Sequence, residues 1–263
     1  MRQASRSERE AGRVIERFQL AFVEVAAVRL PIADFVLKGG ANMRLFFRSP
    51  RRSRDIDFNY VGGRFESFAG RVDEVLASRA LSELLRQHEI ALVDPRRHKQ
   101  TETTRRWKLF LKTPLVAEAD SKIEFSAREE PLNEFELRPV DPELARRLGG
   151  RSTPINRYGA IAMVTQKVDA LRHRSETQPR DIFDLDLLFR THPDALTRAP
   201  LEQGALEEAI ERARALTFQE YVTTVVHYLE EEIVDVLGTE NAWNDMLRHV
   251  LETLEARWIE LHR

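Results

Sequence analysis

Two aspartates one residue apart, Asp55 and Asp57, stand in a run from Asp55 to Tyr60 that alternates polar and apolar (Asp-Ile-Asp-Phe-Asn-Tyr). That alternation is the period of a half-buried strand. Side chains two apart on a strand share a face, so Asp55 and Asp57 project together while Ile56 and Phe58 pack behind them. Neighbouring carboxylates repel unless a cation lies between them. Magnesium suits such a pair, because it takes one or two carboxylates and completes its shell with phosphates and water. A solvated strand face with two acids is the plainer alternative, but Asp is depleted from strands. Upstream, Phe35-Val36-Leu37-Lys38 leads into Gly39 and Gly40. Glycine lets the backbone approach a phosphate closely and take positive φ. A helix opening straight after it, over Ala41 to Phe47, would aim free N–H groups at an anion. A Gly-Gly pair alone marks only a turn. Strand, Gly-Gly, short helix, bend and Asp-x-Asp strand together form a far more specific pattern, suited to phosphate and divalent-cation binding.

The elements that must position these residues follow from periodicity. Glu8 to Arg29 reads as an amphipathic helix with Val14, Phe18, Ala21, Phe22, Val25 and Val28 on one stripe. Strands are expected at Phe35 to Gly40 with its turn, Asp55 to Val61, Ile90 to Val93, Arg105 to Lys112, Ser121 to Ala127 and Glu134 to Val140, and one helix over Phe65 to His88. Beyond Arg151 the pattern is helical, over Arg157 to His173, Arg180 to Arg190, Leu201 to Ala215, Phe218 to Val236 and Glu240 to Leu261. Gly149-Gly150 and the Ser152-Thr153-Pro154 stretch mark the expected boundary. The fold class is therefore α+β: residues 1–150 form a mainly antiparallel or mixed sheet with flanking helices, and residues 151–263 form a helical part that completes a substrate cleft.

These residues carry a family resemblance. The segment Lys38, Gly39, Gly40, Met43, Arg44, Ser53, Asp55, Asp57, Phe58 resembles the signature of the nucleotidyltransferase superfamily, and more narrowly that of the AbiEii/AbiGii-type toxin nucleotidyltransferases. The 14 residues from Ala41 to Arg54 form a spacer that suits the narrower group and contains an Arg-rich bend (Arg48, Arg51, Arg52, Arg54). Two later segments extend the match. Lys122-Ile123-Glu124-Phe125 reads as a strand with Lys122, Glu124 and Ser126 on one face, and Glu124 is the candidate for the superfamily's third carboxylate. The alternative is the charged outer face of an edge strand. The stretch Ile161 to Arg172, then Arg180-Asp181-Ile182-Phe183-Asp184-Leu185, is similar to the family's later motifs. Taken alone, Lys167 would be a solvated helical lysine and Asp181 a first-turn acid, and Asp184 reads as structural.

The resemblance implies a magnesium-dependent enzyme that moves a nucleotide from an NTP to an acceptor hydroxyl. Asp55 and Asp57, with Glu124, would hold one or two Mg2+ ions. Lys38, Gly39, Gly40, Arg44 and Lys167 would bind the triphosphate, and Asp181 would place Lys167 or the nucleotide. It also implies a toxin of a bacterial toxin–antitoxin pair, with a cognate antitoxin and an RNA acceptor such as the tRNA 3′ end, blocking translation. Transfer of a nucleotidyl or phosphoryl group to a small molecule or protein, or a non-catalytic nucleotide-binding module, are the competing expectations.

Composition agrees. The chain has 263 residues, 42% hydrophobic and 32% charged, with a net charge of −2, which excludes a globally basic nucleic-acid binder. Basic residues nonetheless cluster at Arg48 to Arg54, Arg96 to Lys99, Arg105-Arg106 and Arg172 to Arg174. The first and last suit a locally positive site for a polyanion, whereas Arg96 to Lys99 reads as ordinary surface charge. There is no cysteine, so disulfides and thiolate metal sites are excluded, and the seven histidines are scattered. No apolar run approaches bilayer length and the first residues lack a signal-peptide core, so a cytoplasmic location without membrane association is expected.

Overall fold

The structure is a computed structural model that describes residues 6–127 and 135–262. Contacts divide the chain into two compact units, Met1–Arg48 with Arg52–Tyr158, and Ser49–Arg51 with Gly159–Arg263.

The first unit contains α1 (Arg6–Arg29), β1 (Phe35–Lys38), α2 (Gly39–Phe46), β2 (Ile56–Tyr60), α3 (Phe65–Leu76), α4 (Arg79–Arg86), β3 (Ala91–Thr101), β4 (Thr104–Lys112), β5 (Ala119–Ser126), β6 (Phe135–Pro139), α5 (Pro142–Arg147) and β7 (Pro154–Tyr158). Its sheet runs β3-β4-β5-β2-β1-β7-β6. The pairs β2–β5 and β1–β7 are parallel, and the other neighbours are antiparallel. The sheet is therefore mixed, as the residue pattern allows. Phe35, Val36 and Leu37 are all buried, as expected of a strand covered on both faces at the sheet centre.

Alternation separates the two faces of β2 and β5. Phe58 and Phe125 stack with ring centroids 4.7 Å apart, Phe35 meets Phe58 edge-on at 5.5 Å, and Trp107 meets Phe125 edge-on at 6.0 Å. Phe22 of α1 and Phe68 of α3 join this cluster. Truncating one such buried ring to Ala costs about 3–5 kcal/mol. Asp57 and Glu124 alternate with these rings, on the other face.

Several boundaries differ from the expectation. Residues 154–158, assigned by pattern to the helical part, form β7, which pairs with β1 and β6. The single helix expected from Phe65 to His88 is two, because Ser78 caps α4 by accepting from Leu81 N–H at 3.2 Å. Strand β3 runs well past Val93, and the register shifts around Val93/Arg96 accommodate Pro95. Val28 is 83% exposed and leaves the buried stripe of α1. The strand expected from Glu134 begins, within the described residues, at Phe135.

The second unit is helical: α6 (Ala160–His173), α7 (Pro179–Thr191), α8 (Ala195–Arg198), α9 (Gln203–Arg214), α10 (Phe218–Thr224), α11 (Glu231–Leu237) and α12 (Glu240–Leu261). The helix expected from Phe218 to Val236 is interrupted by a 3-10 turn at Val226–Tyr228. Met163, Val164, Val168 and Leu171 of α6 and Ile182, Leu185 and Leu188 of α7 are buried. Among the described residues, no helix is long and apolar enough to cross a membrane.

Candidate active site

Gly39 opens α2 with φ +68°, in the left-handed region that favours glycine. A Cβ placed there would stand 3.4 Å from Asp57 Oδ2, an ordinary van der Waals contact, so the turn lies directly against the carboxylate while the φ is what calls for glycine. Lys38 is the N-cap of α2 and provides no side-chain acceptor for the helix's first N–H groups, which are donors suited to an anion.

Asp55 lies in the bend just before β2, and Asp57 is the second residue of that strand. The bend is pinned by polar contacts. Ser53 Oγ donates to Asp55 O at 2.8 Å, Ser121 Oγ donates to Arg54 O at 2.6 Å, and Gln19 Nε2 donates to Ser53 O at 3.0 Å. In register, Asp57 stands opposite Glu124 on β5 and Lys38 on β1. Strand β5 lies between β4 and β2, so Glu124 is not on an edge strand. The three carboxylates have different neighbours. Lys122 Nζ is 3.1 Å from Asp55 Oδ2, Arg106 Nε donates to Glu124 Oε2 at 2.6 Å, and Lys38 Nζ donates to Ser126 Oγ at 3.2 Å. Burial pushes the Asp57 carboxyl above its usual value. Lys122 opposes this, and the charges of Asp55 and Glu124 add to it. A further cation beside Asp57 would relieve both causes.

That is the test for a divalent ion, and the residues pass it. The donors are carboxylate oxygens, which suit a hard cation, and Asp57 carries excess negative charge around it. Among the described residues no group of three or more His, Cys, Asp or Glu could hold a metal ion, so the expected set of Asp55, Asp57 and Glu124 does not form a three-carboxylate cage. A pair of carboxylates is what magnesium needs when substrate phosphates supply further ligands.

In the second unit, Lys167 Nζ lies 3.1 Å from Asp181 Oδ1 and 2.5 Å from Asp184 Oδ2. Arg51 donates to both Asp184 oxygens at 3.2 and 3.1 Å, and Arg174 Nε lies 3.0 Å from Asp181 Oδ2. Asp181 and Asp184 are 0% exposed and Lys167 5%. Burial opposes ionisation of Asp184, but Arg51 and Lys167 outweigh it and hold the carboxyl below the usual range. Burial lowers the pKa of Arg180, and Arg174 lowers it further. Segment 49–51 is held by the same unit: Glu230 N–H donates to Pro50 O at 3.1 Å, and Arg51 forms a bridge with Leu229.

The Arg-rich bend does not supply a pool of positive charge. Arg44, only 2% exposed, and Arg52 both pair with buried Glu16. Arg48 pairs with Asp141 at 2.8 Å, Arg54 with Asp120, and Arg51 with Asp184. Arg44, expected to face a phosphate, is packed inside against Glu16, where its geometry is that of a structural ion pair. Residue types alone did not reveal the roles of Lys122, Ser53, Gln19 and Arg51. Lys122 could have been found from its place two residues before Glu124.

A mixed sheet with a glycine turn set against an Asp-x-Asp strand, followed by helices carrying a Lys–Asp cluster, is the frame of a nucleotidyltransferase. The sequence profile of the AbiEii nucleotidyl transferase toxin of type IV toxin–antitoxin systems matches residues 29–261, and the chain belongs to that family. Solved structures share the fold. A Helicobacter pylori protein described as a nucleotidyltransferase aligns with TM-score 0.59 at 18% identity over 94% of each chain. JHP933 from Helicobacter pylori aligns at 0.58 and 18%, over 94% of this chain and 92% of its own. MenT4, a nucleotidyltransferase toxin from Mycobacterium tuberculosis, aligns at 0.58 and 14%, over 96% of this chain and 89% of its own. No curated protein matches the chain. Family membership makes the protein a nucleotidyltransferase with an NTP substrate and an antitoxin partner.

Proposed function

We propose that the protein is a magnesium-dependent toxin of the cytoplasm that transfers a nucleotide from an NTP to an RNA acceptor, the 3′ end of tRNA, and so blocks translation. The observation that carries this reading is the place of Asp57, set against Gly39 and in register with Glu124, where burial and neighbouring negative charge raise its carboxyl. Asp55 and Asp57, with Glu124 braced by Arg106, would hold the ion. When bound, the ion supplies Lewis-acid stabilisation of the charge that develops during transfer. Gly39, Gly40 and the first N–H groups of α2 seat phosphate oxygens, with Lys38 alongside. Lys167 and Asp181 serve the triphosphate as a prearranged unit. Lys167, Arg174 and Arg180 cluster about Asp181 and Asp184, and clustered cations suit a polyphosphate. In the transfer, the acceptor hydroxyl oxygen bonds to the α-phosphorus and the α–β bridging P–O bond breaks. Pyrophosphate leaves with the electron pair, and the hydroxyl proton passes to solvent.

Incubation with total RNA and NTP labelled at either the α or the γ phosphorus tests this. The expected result is α label in RNA, located at tRNA 3′ ends by sequencing, and lost in Asp55→Ala and Asp57→Ala. Label from the γ position would redirect the reading to phosphoryl transfer, and transfer surviving in both variants would remove the metal role.

A further inference from the structure

The face of the sheet that carries Asp57 continues across β5 and β4 to the edge strand β3. Residues in register share a face, and the pairs Asp57–Glu124, Glu124–Arg106 and Arg106–Lys99 form one row running outward from the aspartate. The next row is Lys122–Lys108–Arg96, and Phe110 follows two residues on, opposite Asp120 and Val93. Lys112 lies two further along β4. Strand spacing puts Lys108 about 10 Å from the Asp55–Asp57 line, and Lys108 and Lys112 about 13 Å apart.

The arginines of this hairpin are tied to carboxylates, Arg106 to Glu124 and Arg96 to Asp94 in the rows just described. On the helix-covered face, Arg97 and Arg105 are tied to Glu66 and Asp73 of α3. On the Asp57 face, Lys99, Lys108 and Lys112 are exposed, and among the described residues no carboxylate pairs with them. Between the two β4 lysines stands the partly exposed ring of Phe110, with Lys108 Nζ 5.1 Å from its centroid. Pro95, the register shifts and the charges blunt β3 against pairing with another strand. Solvated cations framing an accessible aromatic ring is the arrangement that binds single-stranded nucleic acid, with phosphates meeting the lysines and a base stacking on the ring.

We propose that the Lys108–Phe110–Lys112 face of β4, extended by Lys99 on β3, is the docking surface for a single-stranded segment of the acceptor RNA and guides its end to Asp55 and Asp57. The inference rests on RNA being the acceptor, and it turns a cluster that reads in sequence as ordinary surface charge into part of the substrate track.

The test measures binding of a fluorescently labelled 12-nucleotide single-stranded RNA to the full chain by anisotropy, between about 50 and 200 mM salt, without NTP. The variants are Lys108→Ala/Lys112→Ala, Phe110→Ala, and a control, Arg79→Glu, on the exposed side of α4. Thermal melting confirms that each folds. Removing two phosphate contacts should flatten the slope of log affinity against log salt by about 1.4. Losing the stacked base should weaken binding at least about fivefold, and Arg79→Glu should bind as wild type. In transfer assays the KM for RNA should rise while the KM for NTP stays unchanged. Wild-type affinity and slope in the double variant, or an equal loss in Arg79→Glu, would overturn the proposal. So would intact RNA binding with lost neutralisation by the antitoxin, which would make the face a protein interface. RNA binding through this face without transfer to RNA would support the surface and refute the acceptor assignment. Wild-type transfer to RNA by the double variant would do the reverse.

Discussion

Two lysines in this protein each face carboxylates, and they do so in opposite settings. Lys122 meets Asp55 with side chains 35% and 27% exposed, whereas Lys167 meets Asp181 and Asp184 with exposures of 6%, 0% and 0%. In the first case water screens the attraction, so the pair is weak and its carboxylate can be shared with another cation. In the second the charges have lost their water and depend on each other, so removing one strands the rest. The difference separates a site that exchanges partners from a scaffold that fixes geometry. Two buried carboxyls follow the same division, with Asp57 raised by burial and Asp184 lowered by Arg51 and Lys167.

The comparison can be broken most forcefully at Asp184. Asp184→Ala leaves Arg51 and Lys167 short of a buried partner and should lower stability by about 3–5 kcal/mol in urea unfolding, and a loss below about 1 kcal/mol would show the cluster is not interdependent. At Asp57 the expectation reverses. Asp57→Asn should reduce transfer at least about 100-fold and yet raise stability at neutral pH. The folded Asp57 carboxyl titrates above its ordinary value, so its neutral form stabilises the fold at low pH. That contribution fades as pH rises through the folded value, and Asn never pays the cost of the charge. A less stable Asp57→Asn would contradict the burial argument.

Asp184 has the opposite sign. Its folded carboxyl titrates below the ordinary value of about 3.9, so its contribution is complete above that value and is lost as pH falls through the lower, folded one. Wild type should therefore lose more stability than Asp184→Asn between about pH 4 and pH 2, measured by urea midpoints, and parallel curves would contradict the pairing. The smallest effect belongs to Lys122→Met, which should change stability by less than about 1 kcal/mol. It should also lower the magnesium concentration that half-saturates transfer, because the lysine no longer competes for Asp55. An increase would mean Lys122 helps hold the ion or the nucleotide.

The site was legible where chemistry and period coincide locally. Alternation placed Asp55 with Asp57 and Lys122 with Glu124, the register of β2 and β5 then joined the two strands, and positive φ gave Gly39 its physical reason. What stayed hidden depended on distant partners. Nothing around Arg51 shows that it will meet Asp184, 133 residues away, and Arg44 looked phosphate-bound because its partner Glu16 sits on another element. Strand β7 is five residues behind a proline and forms because β1 and β6 flank it. The length of β3 likewise comes from β4, whose pairing carries it past Pro95.

The three residues Ser49–Arg51 belong to the helical unit although the sheet unit encloses them in sequence. The polypeptide therefore crosses between the units three times, and no single cut separates them cleanly. A fragment starting at Gly159 would lack the guanidinium that Asp184 requires, and a fragment ending at Tyr158 would keep an orphan loop. Dissection or shuffling of such a protein must carry that short insert as a graft, and split versions should regain a sound helical part only when the tripeptide travels with it.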